Sequence, residues 1–125
     1  MPSNVFQFEI WKTYIEGYYE VSNLGNIRSI DRYVENRHGT MSLRRGRKLK
    51  LTLDTKGYLT AIVNIKGISK TIRLHRIVGE VFIINPKNKP QISHKDGRKT
   101  NNHFSNLEWS TLAESKANTS RIDSK

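Results

Sequence analysis

The sequence predicts an α+β protein whose β-rich N-terminal part precedes a part that contains helices. Apolar and polar residues alternate along several short segments before residue 74, as they do in half-buried strands. From Leu74 onward, apolar residues recur at spacings of three and four, as on one face of a helix. The chain has 125 residues, a length that suits one domain or two very small units.

The charge of the chain favours a nucleic-acid partner. The formal net charge is +11 and the isoelectric point is about 10.1. A basic chain gains affinity for phosphate backbones by releasing counterions. The alternative is a generally basic protein with no specific partner, but the basic residues are clustered. Five of them lie in one short segment: Arg44, Arg45, Arg47, Lys48 and Lys50.

Composition disfavours several other classes of protein. The absence of cysteine excludes disulfides and thiolate metal sites. No apolar run is long enough to span a bilayer, and the N-terminus lacks the residue order of a secretory signal. A membrane-surface role would call for a basic amphipathic helix, whereas the basic segment contains Gly46 and leads into a strand-like run. We therefore expect no membrane association and a cytoplasmic location.

The first segment, residues 9–32, predicts a small β-unit. The stretches "YYEVS" and "NIRSI" are typical of short strands, and "NLGN" between them tolerates the positive φ of a tight turn. Residues 33–48 are polar and basic, and we interpret them as a loop or arm. The apolar face of the β-unit would come from Trp11, Tyr14, Ile15, Tyr18 and Val21.

The remaining residues predict a β-meander followed by a helix. Alternation in "RKLKLTL", "YLTAIVNI" and "KTIRLHR" predicts three strands, with Leu49, Leu51 and Leu53 on one face. The helix is expected over "LHRIVGEVFI", and the prolines of "INPKNKP" predict a loop after it. "QIS" opens a short hairpin or Ω-like loop. Thr111 and Glu114 form a capping-box pattern that predicts a final helix.

His94 is the candidate for chemistry. An imidazole that titrates near neutral pH can act as a general base when a second group fixes its tautomer. Asn106 is the candidate for that second group, and Trp109 is expected to pack beneath the loop between them. The alternative is a satisfied loop histidine, with Asn101 and Asn102 making only turn hydrogen bonds. Chemistry alone favours this alternative, since one histidine near asparagine is a weak signal.

The residues around His94 resemble those of a known family. His75 and Arg76 open the predicted helix, and "SHKDG", "NN" and "NLEW" follow it. This pattern resembles the HNH nucleases of the homing-endonuclease type, found in phages and group I introns. The stretch "WKTYIEGYYEVSNLGNIRSI" resembles the small module that often precedes this nuclease domain. The implied organisation is that module at 9–32, a basic arm or loop at 33–48 and a nuclease-like domain at 49–120.

The resemblance implies a ββα-metal core, in which two short strands and a helix surround one divalent ion, Mg²⁺ or Mn²⁺. His94 matches the histidine that activates water, and Asn106 matches the asparagine that orients it. Serine stands at both metal positions, Ser93 and Ser115. A neutral hydroxyl is a poor replacement for a carboxylate or amide oxygen around magnesium. The candidate substitutes are Asp96, Asn118 and, more weakly, His103.

Basic residues near these positions are candidates for contacts with double-stranded DNA. Lys95, Arg98 and Lys99 flank the expected cut site, and the cluster from Arg44 to Lys50 would bind the backbone elsewhere. Solvated surface charge is the alternative for each of them. His75 is expected to be a buried, hydrogen-bonded structural residue.

The sequence thus predicts a monomeric DNA endonuclease that nicks one strand by hydrolysing a phosphodiester with one metal ion. Its expected location is the host-cell cytoplasm if a phage encodes it. A second interpretation, from another class, is an inactive DNA-binding protein on the same scaffold, such as a regulator, inhibitor or decoy. The two serines favour that interpretation. An engineered inactive variant is a third, and a basic RNA-binding protein is a distant fourth.

Overall fold

The computed structural model describes residues 8–114 and has an α+β architecture that is rich in strands. A central helix is surrounded by small antiparallel sheets. In chain order the elements are β1 (Trp11–Ile15), β2 (Tyr19–Ser22), β3 (Ile27–Ser29), β4 (Arg32–Glu35), β5 (Met41–Arg44), β6 (Thr52–Leu53), β7 (Leu59–Ile65), β8 (Ile68–Arg73), α1 (Leu74–Phe82), β9 (Gln91–His94), a 3-10 helix (Phe104–Asn106) and β10 (Leu107–Ser110).

The first sheet confirms the β-unit predicted for the N-terminal segment. Its strand order is β1-β2-β3, and Val21 of β2 pairs with Ile27 of β3. Both side chains are buried, because they occupy the face that packs on the rest of the protein. The turn between these strands contains Gly25 at φ +91°, a conformation that glycine adopts without steric cost.

Residues 33–48 were predicted to form a loop or arm, and this prediction is wrong for residues 33–35 and 41–44, which are strands. β4 and β5 form an antiparallel hairpin in which Tyr33 pairs with Leu43. The Asn36 side chain accepts hydrogen bonds from the backbone N–H groups of His38 and Thr40, so an asparagine turn sets the register. This hairpin could not be predicted from the sequence, because neither of its faces is buried. Its strands therefore lack the alternation of apolar and polar residues that marks a half-buried strand.

The second sheet has the order β6-β7-β8 and confirms the predicted meander. Its first strand is shorter than predicted, and Leu53 is 62% exposed rather than sharing the semi-buried environment of Leu49 and Leu51. The residues before β6 pair with β3 instead. The backbone N–H of Leu49 donates to Ile27 O at 2.9 Å, so this segment joins the first sheet to the second.

Helix α1 confirms the predicted helix and lies at the centre of the fold. Its buried face includes Leu74, Ile77 and Val78. A Cβ at Gly79 would lie 2.3 Å from Ile92 Cδ1, so glycine permits close approach of the helix to β9. The core unites all three regions and contains Tyr19, Val21, Ile27, Ala61, Val63, Ile72, Leu74, Ile77, Val78, Ile92 and Leu107.

The last two strands pair with each other, and a long loop over residues 95–106 joins them, so the hairpin is not the short one predicted around Lys95. His94 pairs with Leu107 in the antiparallel register. After β10 the chain turns helical at residues 112–114. The Glu114 carboxylate accepts from Thr111 N at 2.8 Å and the Thr111 hydroxyl accepts from Glu114 N at 3.2 Å, which confirms the capping box. In residues 8–114, no helix has the length and apolar character that crossing a bilayer requires.

Candidate active site

His94 ends β9 and is held by a buried amide. Its Nε2 lies 2.7 Å from the side-chain oxygen of Asn102, a residue that is only 4% exposed. An amide oxygen can only accept, so Nε2 of neutral His94 carries the proton and donates it in this bond. Nδ1 is then the unprotonated nitrogen. This is the fixed tautomer that a general base requires.

The prediction that Asn106 holds the imidazole is therefore corrected. Asn106 fastens the loop after His94 instead: its side-chain oxygen accepts from Asp96 N, and its side-chain nitrogen donates to Asp96 Oδ1 and Asn101 O. Its backbone oxygen accepts from Lys95 N at 2.7 Å. The Asn106 side chain makes these bonds within the loop, so any effect on His94 is indirect.

Burial lowers the pKa of His94, and the nearby Lys99 charge lowers it further, against opposing effects of the Asn102 hydrogen bond and Asp96. Taking the charged imidazole out of water is the main cause, because desolvation disfavours the ion. His94 is therefore neutral at pH 7 and has a lone pair available to accept a proton.

His75 of α1 lies beside His94, with 5.1 Å between the ring centroids. Its ring stacks on Tyr58 at 4.7 Å, and the residue is 8% exposed. The expected burial is confirmed. The expected hydrogen bond is absent at Nδ1, which has no partner among residues 8–114. Burial, together with the charges of His94, Arg73 and Arg76, lowers the pKa of His75 to about 4.

The expected metal positions are only partly described. Ser93 is buried, and its hydroxyl lies 2.6 Å from the Ser110 hydroxyl. Ser115 and Asn118 lie outside the described residues. Within residues 8–114, no cluster of three or more histidine, cysteine or acidic side chains is suited to a metal ion. A hydroxyl pair supplies no charged oxygen, so the described donors do not fit a magnesium site by themselves.

The other two candidate metal ligands in the described part of the chain, Asp96 and His103, both make hydrogen bonds within the loop. The Asp96 carboxylate accepts from Arg98 N, Asn101 Nδ2 and Asn106 Nδ2, so it organises the loop as a turn residue does. The Nδ1 atom of His103 lies 2.8 Å from the Ser105 hydroxyl.

A cavity of about 670 Å³ opens beside His94. Ser93 and His94 form part of its wall, and Tyr58 and His75 form another part. Positive side chains from β8, α1 and the 95–106 loop also line it, together with the acidic Glu80; they are Lys70, Arg73, Arg76 and Lys99. Four cations against one carboxylate in the wall give it a net positive charge, which suits an incoming phosphate.

Two of these cations lie over the Tyr58 ring, and a third, Arg76, pairs with Glu80 of the same wall at 3.1 Å. Arg73 lies over the Tyr58 ring at 4.4 Å and pairs with Asp54 at 2.9 Å. Lys99 lies over the same ring at 4.8 Å and donates to Lys56 O. Lys99 was among the predicted DNA-binding residues, and the structure brings it to the wall of the cavity.

The other predicted DNA-binding residues are exposed but lie elsewhere. Lys95 and Arg98 lie on the loop after His94, outside the cavity wall. A second cavity, of about 730 Å³, lies at the β4–β5 hairpin and is lined by Arg32, Arg44, Arg45 and Arg47 among others. Lys48 lies 3.7 Å from a Glu9 oxygen, and Lys50 is exposed.

Trp109 is structural, but it does not lie beneath the loop as predicted. Its Nε1 donates to Ile83 O at 2.9 Å, and Arg76 lies over its ring at 5.2 Å. The indole therefore ties β10 to α1 and to the residue that follows it. This contact fixes the hairpin that carries His94 against the helix that carries His75.

Sequence reasoning missed several residues of the site. Asn102 had a local signal, since it is a paired asparagine in the loop after His94, but it was assigned a turn role. Tyr58 and Arg73 had no signal as site residues, because only tertiary packing brings them to the cavity. Arg76 belonged to the family pattern with His75, but it was given no role at the site.

Comparison with known proteins shows which family this arrangement belongs to. Residues 9–64 match the NUMOD4 motif. The chain is 38% identical over 80 residues to an uncharacterized HNH endonuclease of Acanthamoeba polyphaga mimivirus, which covers 63% of this chain and 24% of that protein. It is 33% identical over 96 residues to the DNA endonuclease I-HmuI of Bacillus phage SP01, covering 77% and 48%.

A solved structure of DNA binding and cleavage by the HNH homing endonuclease I-HmuI has the same fold. The TM-score is 0.73 at 30% identity, and the match covers 93% of this chain and 60% of that one. The chain is a member of the HNH homing endonuclease family and carries the NUMOD4 motif in its N-terminal half. It spans about a quarter to a half of the length of these curated relatives.

Proposed function

We propose that this protein is a DNA endonuclease that nicks one strand by hydrolysing a phosphodiester. The single observation that supports this proposal most is the fixed tautomer of His94 at the wall of a basic cavity. A base with a free lone pair and a phosphate-binding wall are what hydrolysis of a phosphodiester requires. The I-HmuI relative is named as a DNA endonuclease, which is consistent with the same class of substrate.

In the proposed reaction, Nδ1 of His94 accepts a proton from a water molecule as the water oxygen attacks phosphorus. The bond between phosphorus and the leaving oxygen breaks, and that oxygen departs with the electron pair. Asn102 keeps its bond to Nε2 throughout, so the imidazolium that forms is stabilised by the same amide oxygen. Arg73, Arg76 and Lys99 offset the charge that develops on the phosphate.

Serine at position 93 affects how well the site can bind a metal ion. A divalent ion would supply further stabilisation of phosphate charge in a family that uses one. The Ser93 hydroxyl is bonded to Ser110, and the described residues do not fit the ion by themselves. We therefore propose that this site binds the metal ion weakly, so that Mg²⁺ or Mn²⁺ is needed at high concentration. No step above is assigned to the ion.

The proposed substrate is double-stranded DNA, and the proposed acting form is a monomer. One copy of the site cuts one strand, so a nick is the expected product. The basic residues of the second cavity would bind the duplex away from the cut. Since the relatives named above are viral and phage proteins, we place the proposed activity in the host-cell cytoplasm.

A second candidate, an inactive DNA-binding protein, is favoured by one observation: Ser93 at a metal position already has a hydroxyl partner. The test is nicking of supercoiled plasmid with Mg²⁺ or Mn²⁺, with His94→Ala beside the natural chain. The endonuclease proposal expects nicking that falls by about a hundredfold or more in His94→Ala. His38→Ala, on the exposed β4–β5 turn, is the matched control and should nick normally.

Salt-sensitive DNA binding without nicking, unchanged by His94→Ala, would support the inactive DNA-binding protein instead. Ser93→Asp distinguishes the two candidates further. Nicking that appears only in this variant would show that the metal position, and not the general base, is what the natural chain lacks.

A further inference from the structure

His75 is the buried polar residue whose place in the fold is not explained by packing. Its ring lies between Tyr58 and His94, at centroid distances of 4.7 Å and 5.1 Å. A phenylalanine or leucine would fill such a position without burying a polar atom. Since native proteins pair almost all their buried polar groups, a buried histidine with an unpaired ring nitrogen calls for a role other than packing.

Two buried side-chain atoms lack a hydrogen-bond partner in the part of the chain that the structure describes, and both belong to neighbours of His94. One is Nδ1 of His75, and the other is Nδ2 of Asn102. The burial of Asn102 is accounted for by its side-chain oxygen, which is bonded to His94. His75 makes no corresponding bond, although it lines the same cavity as His94.

The tautomer of His75 follows from this burial. Nδ1 has no acceptor for a hydrogen among residues 8–114, and buried N–H groups without a partner are rarer in native proteins than buried acceptors without one. Nδ1 is therefore the lone-pair nitrogen, and Nε2 carries the hydrogen. His75 thus has one N–H group to offer toward the cavity that it lines.

We propose that His75 is a second catalytic residue, whose Nε2–H donates a hydrogen bond to a phosphate oxygen of the DNA strand being cut. This inference rests on the proposed nuclease function and assigns a role within the same site. An N–H fixed in a partly buried wall stabilises charge on phosphate more effectively than a mobile surface group.

The surroundings of His75 suit this role. Arg73, Arg76 and Lys99 line the same cavity, so an anion is attracted to the place where the N–H is offered. The depressed pKa of His75, about 4, keeps the ring neutral at pH 7. A neutral ring does not add a further positive charge beside His94, which would oppose formation of the imidazolium during catalysis.

The first test compares nicking by His75→Phe and His75→Gln with the natural chain. Phenylalanine keeps the stacking on Tyr58 and removes the N–H, whereas glutamine restores a donor. We expect His75→Phe to lower the single-turnover rate about a hundredfold, as loss of one such donor does elsewhere. His75→Gln should recover part of it. His38→Phe is the control for adding an aromatic ring.

The second test does not depend on cleavage. Histidine labelled with ¹⁵N reports each ring by NMR, and short duplex DNA is added in the presence of a chelator. We expect the Nε2–H signal of His75 to move downfield and to exchange more slowly with water when DNA binds. The His38 ring, which is exposed, should change little by comparison.

The outcomes separate the two proposals. Nicking by His75→Phe at the natural rate, with no change of the His75 signal on DNA binding, would overturn the role of His75 and leave the nuclease intact. If the natural chain binds DNA without nicking it, the nuclease proposal fails, and the NMR signal still decides whether His75 contacts phosphate. Failure to bind DNA at all would overturn both.

Discussion

The side-chain oxygen of Asn102 lies 2.7 Å from Nε2 of His94, and both residues are buried. Asn102 is in turn held by the N-terminal sheet. A Cβ placed on Gly25 would lie 3.0 Å from both Cβ and O of Asn102, and Phe104 N donates to Asn23 O at 2.8 Å. The N-terminal sheet thus supports the loop that orients the general base.

Replacing Asn102 by alanine should slow nicking by about tenfold to a hundredfold, because the imidazole loses the group that fixes its tautomer. DNA binding should change little, since Asn102 does not line the cavity. Single-turnover rates and binding by fluorescence anisotropy are the measurements. Equal loss of rate and affinity would indicate instead that the whole loop had collapsed.

Gly25→Ala should destabilise the protein by about 1–3 kcal/mol and also slow nicking, because the added methyl group must displace Asn102. Gly17→Ala is the matched control. Gly17 also has a positive φ, +81°, but a Cβ there meets nothing within 4 Å. It should cost only backbone strain, about 1 kcal/mol. Urea unfolding and plasmid nicking check this prediction, which fails if the two variants behave alike.

Stability should fall as the pH drops from about 6.5 toward 4. Folding lowers the pKa of His75 from 6.5 to about 4. As the pH falls, the unfolded state therefore binds a proton before the folded state does, and the free energy of unfolding decreases. The loss from this group is on the order of 3 kcal/mol by the bottom of that range. Urea unfolding at several pH values measures it. His75→Phe should flatten the curve, and an unchanged slope would mean that the ring is already protonated in the fold.

Arg73→Met should weaken DNA binding and lower the slope of log affinity against log salt concentration by about one, because one phosphate contact is lost. Lys87→Met is the control, since Lys87 is exposed on the loop after α1 and does not line the cavity. Anisotropy titrations at several salt concentrations measure the slope. Equal slopes for the two variants would exclude Arg73 from the DNA contact.

Much of the fold could be predicted from local patterns. The meander and α1 follow from apolar periods of two and three to four, and the capping box at Thr111 follows from a pair of side chains three residues apart. The β4–β5 hairpin could not be predicted this way, because it buries neither face. The shortened β6 has a related cause: the residues before it pair with β3, and such a long-range pairing leaves no local pattern.

The candidate site also has residues that the sequence identified and residues that only the structure shows. His94 was identified from the sequence because its neighbours resemble a family motif. Its partner was misassigned to Asn106, since the spacing along the chain does not show which loop asparagine points inward. Asn102 does so because Gly25 allows the loop to approach the first sheet. Tyr58, Arg73 and His75 reach the cavity only through tertiary packing.

The role of His94 as the general base is tested most directly by the pH dependence of single-turnover plasmid nicking by the natural chain and by His94→Ala. Because burial lowers the pKa of His94, the rate should rise with pH and level off with a midpoint below 6.5. His94→Ala should lose both the rate and this dependence. A rate that is independent of pH, or that survives in His94→Ala, would contradict the assignment of His94 as the general base.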